Sequence, residues 1–401
     1  MISNKIGVIG LGKLGLPMFT SFLLKGFNVK GYDNNTNIVN NLQNGIITTK
    51  EAGIKEAAKT INDWNERFVS TIKEIYDHSD TLFIIVPTPS NEQHIFDVTS
   101  VQIFLQELVK ISNNNKKVTA VVTSTVNPGD CDNFLQIIKN TSIELCYSPE
   151  FIALGSVLRD LLNPDICLIG SNKESVAEEV TAIYRQLYNT TPEHHYLSYK
   201  EAEIAKISIN SFVTTKISFA NTIGSFVYNT TGSTESVKRT LKAISADKRI
   251  GSSYFKFGPG FGGPCFPRDN KCLAKHLLNS NIPPTLPLAV DSVNSDMISF
   301  FTTKLELYKY KNIVYLGVSY KPGSEYIGES FILSLHQHSY DTDKNYYYYD
   351  NNVDNITNFK EIRKVDSIEA IDSSDTLYIV NYCDKNILNN IKQGTIYKLW
   401  A

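Results

Sequence analysis

A chain of 401 residues, 42% hydrophobic and 20% charged, has the apolar content for packed cores in two or three domains and too much of it to be disordered. Its formal net charge of −2 supplies no basic field for nucleic acid, so an anionic partner has to be met by local groups. Six cysteines without a CxxC pair and seven histidines without a zinc spacing predict no metal centre and a reducing, cytoplasmic compartment. No apolar run reaches the roughly 20 residues that cross a bilayer, so no membrane is expected. His194-His195 and His336-x-His338 read as surface or loop residues.

Lys5-Ile6-Gly7-Val8-Ile9 reads as a short buried strand. Gly10-Leu11-Gly12-Lys13-Leu14-Gly15 follows it directly and leads into a helical period ending at Leu24. Asn28-Val29-Lys30-Gly31-Tyr32-Asp33 is a second strand closed by an acid. Strand, G-x-G-x-x-G, helix, strand and an acid about 20 residues on form the dinucleotide fingerprint, in which glycines admit a pyrophosphate to a helix N-terminus. Asp33 would accept from both ribose hydroxyls and repel a 2′-phosphate, which favours NAD over NADP. Further buried strands run into Pro87-Thr88-Pro89, into Ser124-Thr125-Val126-Asn127-Pro128-Gly129 and into Ser148-Pro149-Glu150-Phe151. Strand carboxyl ends form the ligand crevice of an open parallel sheet, which makes these corners either site residues or plain loop caps.

Ser198-Tyr199-Lys200-Glu201 is a capping box opening a long helix with Ile204, Ile207, Phe212, Val213, Ile217, Ala220, Ile223 and Val227 in two apolar stripes, a pattern that predicts packing on both sides. Lys206 and Asn210 lie one turn apart on that helix; alone they read as a solvated lysine and a surface asparagine. Phe257-Gly258-Pro259-Gly260-Phe261-Gly262-Gly263-Pro264-Cys265-Phe266-Pro267-Arg268-Asp269 packs four glycines, three prolines, a thiol and a carboxylate into one loop, either a structural corner or a site. The second half then echoes the first. Asn312–Gly317 is again strand-to-glycine, Tyr349-Asp350-Asn351-Asn352 repeats Tyr32-Asp33-Asn34-Asn35, and Ser374–Val380 repeats Ser79–Ile85. The expected fold is α/β, two Rossmann-like domains with parallel sheets joined by a long central helix: an NAD-binding domain over 1–197, a central helical domain with the cysteine loop over 198–295, and a C-terminal Rossmann-like domain over 296–401, which lacks a full G-x-G-x-x-G and has a nucleotide part of the substrate as its natural occupant.

In this order the pieces resemble the nucleotide-sugar 6-dehydrogenases, the UDP-glucose/GDP-mannose dehydrogenase family, over nearly the whole chain. The carriers are Gly10–Gly15 with Asp33, Pro87-Thr88-Pro89, Ser124-Thr125-Val126, Ser148–Phe151, Lys206 with Asn210, Arg249-Ile250-Gly251, the cysteine loop through Asp269, and Tyr320-Lys321. The resemblance implies oxidation of a sugar CH2OH to a carboxylate with two NAD, through a thiohemiacetal and a thioester on Cys265. It assigns Lys206 and Asn210 to the oxyanion, Asp269 to a base or water-holder, Glu150 to a general base, and Thr125 to the hydrolytic water. Gly10, Leu11, Gly12, Lys13, Leu14, Gly15, Asp33, Pro87, Thr88, Pro89, Ser124 and Thr125 would bind NAD. Glu150, Phe151, Ile152, Lys206, Asn210, Lys256, Phe257, Gly260, Phe261, Gly262, Tyr320 and Lys321 would bind substrate, with Arg249 supplied across a homodimer interface.

UDP-glucose, giving UDP-glucuronate, is the favoured substrate, and UDP-N-acetylhexosamine and GDP-mannose are the alternatives. A two-electron hydroxyacid dehydrogenase shares the lysine–asparagine helix but needs no cysteine. A nucleotide-sugar-binding protein with impaired catalysis is suggested by Gly328, which stands where the family carries an arginine associated with the NAD pyrophosphate. Losing such a contact, about 1.5–3 kcal/mol, weakens NAD roughly ten- to a hundredfold unless another cation such as Lys13 substitutes. Leu154 replaces a common glutamate and Arg268 a common lysine.

Overall fold

The computed structural model describes residues 5–305 and 309–400. They form two compact units, 1–207 and 208–401. The first is built on an eight-stranded sheet of β1 (Lys5–Ile9), β2 (Asn28–Tyr32), β3 (Phe68–Val69), β4 (Thr81–Ile84), β5 (Val118–Val122), β6 (Ile143–Tyr147), β7 (Ile166–Gly170) and β8 (Glu193–Leu197), in the order β3-β2-β1-β4-β5-β6-β7-β8. Neighbours pair in parallel except β6 with β7, which meet antiparallel at Tyr147 and Gly170. Central strands read as near-continuous apolar runs, as expected of a parallel sheet covered on both faces; every residue of β4 and β5 is buried, Thr81 and Thr119 included. Phe19, Phe22, Phe83, Tyr184 and Trp64 anchor one core.

The second unit carries a five-stranded parallel sheet of β9 (Asn312–Leu316), β10 (Asn345–Tyr349), β11 (Ile362–Lys364), β12 (Thr376–Val380) and β13 (Thr395–Lys398), in the order β11-β10-β9-β12-β13. Both sheets thus place their first strand between their second and the strand after the next crossover, as the repeated segments lead one to expect. His336 corrects the surface reading of its motif. It lies fully buried on the helix Phe331–Ser339, held by Tyr315 Oη at 3.0 Å on Nδ1 and Glu361 at 3.0 Å on Nε2. His194 and His195 are on β8, in a strand and not a loop.

The helix Tyr199–Thr231 is 33 residues long. At its start the Glu201 carboxylate accepts from the Ser198 N–H at 2.8 Å and hydroxyl at 2.7 Å. Its faces reverse the ordinary pattern. Glu203, Lys206, Ser211, Thr214, Ser218 and Asn221 are buried, while Ile204, Phe212, Phe219 and Phe226 are exposed. The expectation of apolar packing on both sides therefore fails for the single chain: Ile207 and Ala220 are buried, but the phenylalanine side is open.

Candidate active site

The first unit holds a cofactor crevice. The turn after β1 places Gly10 at φ 89°, and its N–H donates to the Tyr32 carbonyl at 2.8 Å. Gly15 opens the helix Gly15–Leu24 so close to Gly10 that a Cβ there would collide with the Gly10 carbonyl, which is the packing reason for the third glycine. Above Gly12 nothing lies within 4 Å of where a Cβ would be. Asp33 is tied at the end of β2 by Leu11 N–H on Oδ2 at 2.7 Å and by Asn35 N–H on Oδ1 at 2.8 Å, and each oxygen keeps a lone pair for a ribose hydroxyl. Open space over the loop and a fixed, half-filled carboxylate fit a dinucleotide.

The corners beside this turn are knitted together. Ser124 Oγ accepts from Val86 N–H at 2.9 Å and donates to the Val86 carbonyl at 2.7 Å, and Thr88 Oγ1 donates to the Thr125 carbonyl at 2.7 Å. Thr88 and Ser124 are buried, so they brace the corners that Pro87 and Pro89 stiffen. Past β6, Glu150 is partly buried, and burial pushes its carboxyl up to about 7 against the pull of the Lys206 ammonium. Lys206 Nζ donates to the Glu150 carbonyl at 2.5 Å and stands 4.3 Å from the Phe151 ring centroid. The lysine thus meets the backbone of Glu150, 56 residues away in sequence, within one unit, while the Glu150 carboxylate accepts from the Tyr184 hydroxyl at 3.5 Å. Ile152 packs instead against the apolar core.

The second unit holds the thiol. Cys265 is exposed and sits at the N-cap of the helix Phe266–Asn279, with a proline in the first turn. The positive end of a helix favours thiolate over thiol. One turn on, Asp269 is fully buried. It accepts from Asn210 Nδ2 on Oδ2 at 2.6 Å and from Arg268 Nε on Oδ1 at 3.1 Å, and its own N–H donates to the Cys265 carbonyl at 2.8 Å. The loop before the cysteine is fixed by asparagines that sequence reasoning missed. Asn221 Oδ1 accepts from Gly258 N–H at 3.0 Å. Asn294 pairs with both backbone groups of Phe261, at 2.7 and 3.0 Å. Past the cysteine, Asn270 ties the helix Phe266–Asn279 to the helix Thr285–Leu305, bonding the Pro287 carbonyl at 2.9 Å and Asp291 at 2.8 Å. The polar stripe of the long helix was the available signal for Asn221.

Phe257 and Phe261 turn their rings inward, Phe257 against Phe300 and Phe301, so at these two positions the backbone is what a ligand would meet. The ring of Tyr320 lies where a Cβ on Gly263 would be, and Lys321 Nζ is 5.8 Å from the Tyr320 centroid. Lys256 is exposed. Arg249 is exposed too and makes a salt bridge to Asp247 at 2.7 Å. A side chain on Gly328 would run into the Tyr326 phenol, so the tyrosine occupies room that an arginine there would need.

Residues 4–188 match the NAD binding domain of the UDP-glucose/GDP-mannose dehydrogenase family, and residues 200–296 match the central domain of that family. A UDP-glucose 6-dehydrogenase of Rickettsia bellii is 31% identical over 329 residues, 80% of this chain and 74% of the relative. One from Rhizobium meliloti is 29% identical over 348 residues, 83% and 78% of the two chains. Among solved structures, a UDP-glucose dehydrogenase from Pyrobaculum islandicum superposes with a TM-score of 0.87 at 24% identity, covering 99% of this chain and 94% of that one. A UDP-D-ManNAc dehydrogenase from Pyrococcus horikoshii gives 0.79 at 20%, covering 98% and 95%; at these identities the likeness is one of fold. With the dinucleotide crevice built as described, the cofactor is NAD. The chain belongs to the UDP-glucose/GDP-mannose dehydrogenase family.

Proposed function

We propose that the protein oxidises the C6 hydroxymethyl of UDP-glucose to the carboxylate of UDP-glucuronate. The observation that carries this reading is an exposed thiol at a helix N-terminus, one turn from a buried Asp269 held by Asn210. A two-electron hydroxyacid oxidation has no use for that thiol. When bound, NAD accepts the hydride in each of the two oxidations. The chain's own residues do the rest. Cys265 Sγ adds to the C6 aldehyde carbon, and the oxygen takes up a proton to give the thiohemiacetal. Loss of hydride from C6 and of the hydroxyl proton leaves a thioester, which water cleaves, releasing the thiolate and the carboxylate.

Lys206 and Asn210 stabilise the charge developing on the C6 oxygen, and Asp269 holds Asn210 and water beside it. Glu150, with its carboxyl near neutrality, takes a proton from the water that Thr125 orients. The backbone of 256–262, with Phe151, Tyr320 and Lys321, bounds the sugar nucleotide. The reading extends to a three-part division at about 197 and 295 and to a cytoplasmic homodimer in which Arg249 of one copy reaches the substrate of the other. Exposed Phe212, Phe219 and Phe226, seven residues apart on one helix, support that pairing. Among the described residues no helix is long and apolar enough to cross a membrane.

A panel of nucleotide sugars read by NADH release tests the function. Two NADH per UDP-glucose, with Cys265→Ser stalling the second oxidation, is the expected result. One NADH per substrate sinks the four-electron mechanism, and preference for UDP-N-acetylhexosamine or GDP-mannose moves the substrate assignment within the family.

A further inference from the structure

Glu203 is a fully buried carboxylate on the long helix, one turn before Lys206, and the chemistry above does not use it. Its Oε2 accepts from Gly129 N–H at 2.5 Å and its Oε1 from Cys131 N–H at 2.8 Å. Those amides begin the helix Asp130–Ile137, whose N-cap is Gly129. A carboxylate across a helix N-terminus satisfies N–H groups that have no partner inside the helix. Most helices are capped by a neighbouring serine, threonine or aspartate. Here the cap comes from 74 residues away in sequence.

The segment that Glu203 grips is the corner carrying Thr125. That corner is fixed on its other side by Asn127, whose side chain pairs with the N–H and carbonyl of Phe96, both at 2.9 Å, and by the Ser124 and Thr88 bonds to the Val86–Thr88 corner. One turn further on, the long helix is gripped at a second point, where Lys206 Nζ meets the Glu150 carbonyl. Successive turns are therefore attached to the Thr125 corner and to the segment after β6.

We propose that Glu203 is a positioning residue: by clamping the long helix to the Gly129–Cys131 amides it sets the Lys206 ammonium in register with the Thr125 corner of the cofactor crevice. The proposal rests on the functional reading above for its catalytic consequence. Orientation of this kind is worth much in rate, since a misplacement of about 1 Å can cost about 100-fold.

The test compares wild type, Glu203→Gln and Glu203→Asp. Glutamine keeps the shape but turns an NH2 toward an N–H; aspartate keeps the charge and is one methylene short. Glu203→Gln is expected to lower kcat about 10- to 100-fold with KM for NAD and for the sugar nucleotide little changed. It should also raise the primary deuterium isotope effect with C6-dideuterated substrate, because hydride transfer becomes slower relative to product release. Partial unfolding removes active molecules and leaves that isotope effect alone. In NAD-free protein the amides of Gly129 and Cys131 should exchange with deuterium faster than in wild type.

Faster exchange with an unchanged isotope effect reduces Glu203 to a helix cap and overturns the proposal, and unchanged exchange overturns the clamp itself. Should Glu203→Gln fail to fold, Glu203→Asp carries the same readouts with smaller changes of the same sign. Wild type that oxidises no nucleotide sugar sinks the functional reading, and the exchange experiment, which needs no substrate, still decides the clamp.

Discussion

At the end of β2, Asp33 bonds Leu11 N–H and Asn35 N–H. At the end of β10, Asp350 bonds Val318 N–H at 2.9 Å and Asn352 N–H at 2.9 Å. The turns match further: Gly10 donates to Tyr32 at 2.8 Å and Gly317 to Tyr349 at 3.0 Å, with φ of 89° and 82°. The two crevices part at the next strand. By strand register Ile84 beside Ile9 corresponds to Val380 beside Leu316, so Tyr382 stands where the first unit has Val86. The Tyr382 hydroxyl donates to Asp350 Oδ2 at 2.7 Å and accepts from Ser319 N–H at 3.1 Å. Asp350 also takes Ser319 N–H at 3.3 Å and is buried. One backbone design thus gives an acid with lone pairs to spare in the first unit and an acid already filled from within in the second. The loop geometry makes a binding site possible, and the residue after the neighbouring strand decides whether a ligand can use it.

The largest effect that could break this comparison is at the two acids. Asp33→Ala should weaken NAD about 100-fold or more, at roughly 1.5–3 kcal/mol for each of the two charge-assisted bonds lost, with a smaller fall in Tm than Asp350→Ala because Asp33 and its partners are less buried. Asp350→Ala should leave NAD affinity unchanged and cost about 3 kcal/mol of stability, because buried N–H groups and a phenol lose their acceptor. Calorimetric titration and thermal unfolding of both variants read this directly. Weaker NAD binding in Asp350→Ala, or two NAD per chain in wild type, would abolish the distinction.

Next comes titration. The first sheet ends near a carboxyl pushed up to about 7 by burial, Glu150. The second ends at Cys383, whose thiol burial pushes up to about 11. Glu150 must lose its proton to act as base, so the rate of thioester hydrolysis should rise with pH through about 7 and level off above it, and Glu150→Gln should remove that limb. Stability runs the other way. A carboxyl raised above its unfolded value favours the protonated folded state, so ionising Glu150 costs stability as pH climbs from about 4.5 to about 7. Glu150→Gln should therefore melt higher than wild type at about pH 8 and lose that advantage at about pH 5. A flat rate profile across neutrality would remove Glu150 from the chemistry.

Much of this is legible in the sequence. β1, the glycine turn and Asp33 could be read because each depends on neighbours within one supersecondary unit. The repeat of Tyr-Asp-Asn-Asn announced the second sheet for the same reason. The loop with Cys265 was readable from its density of glycine and proline. What escaped depends on partners distant in sequence. Glu203 looks like one more acid on a helix until Gly129 and Cys131 are placed against it. Asn294 looks like surface until Phe261 arrives. His336 looks exposed until Tyr315 and Glu361 enclose it. The long helix misled most, because polar Glu203, Lys206, Ser211, Thr214, Ser218 and Asn221 share its buried face with Ile207 and Ala220 while Phe212, Phe219 and Phe226 lie open, against the pattern on which amphipathic reading relies.

Thiol reactivity sharpens the contrast at smaller scale. With native protein at about pH 7.5, iodoacetamide should alkylate Cys265 well ahead of Cys383. A thiol at a helix N-terminus gains thiolate, and one raised by about 2 pH units has about 100-fold less of it than an unperturbed thiol. Peptide mapping of the labelled protein reads the order, and equal labelling would mean that the helix terminus does nothing for Cys265.

The smallest effect is the most specific. Tyr382→Phe keeps the ring that fills the second crevice and removes only the hydroxyl. Asp350 keeps Val318 and Ser319, so the loss should be near that of one or two ordinary buried bonds, about 1–2 kcal/mol, or a fall in Tm of roughly 2–8 °C for a unit of this size. NAD affinity and kcat should not move, because nothing in the first crevice depends on that hydroxyl. Tyr382→Val, which restores the residue type found at Val86, goes further: it uncovers Asp350 as well as removing the bond. If the filled acid is what keeps the second turn from acting like the first, adenosine nucleotides at millimolar concentration should raise the Tm of Tyr382→Val and leave Tyr382→Phe unchanged. Equal behaviour of the two variants would show that the loop sequence, Ser319 in place of Gly12, closes the crevice without help from the tyrosine.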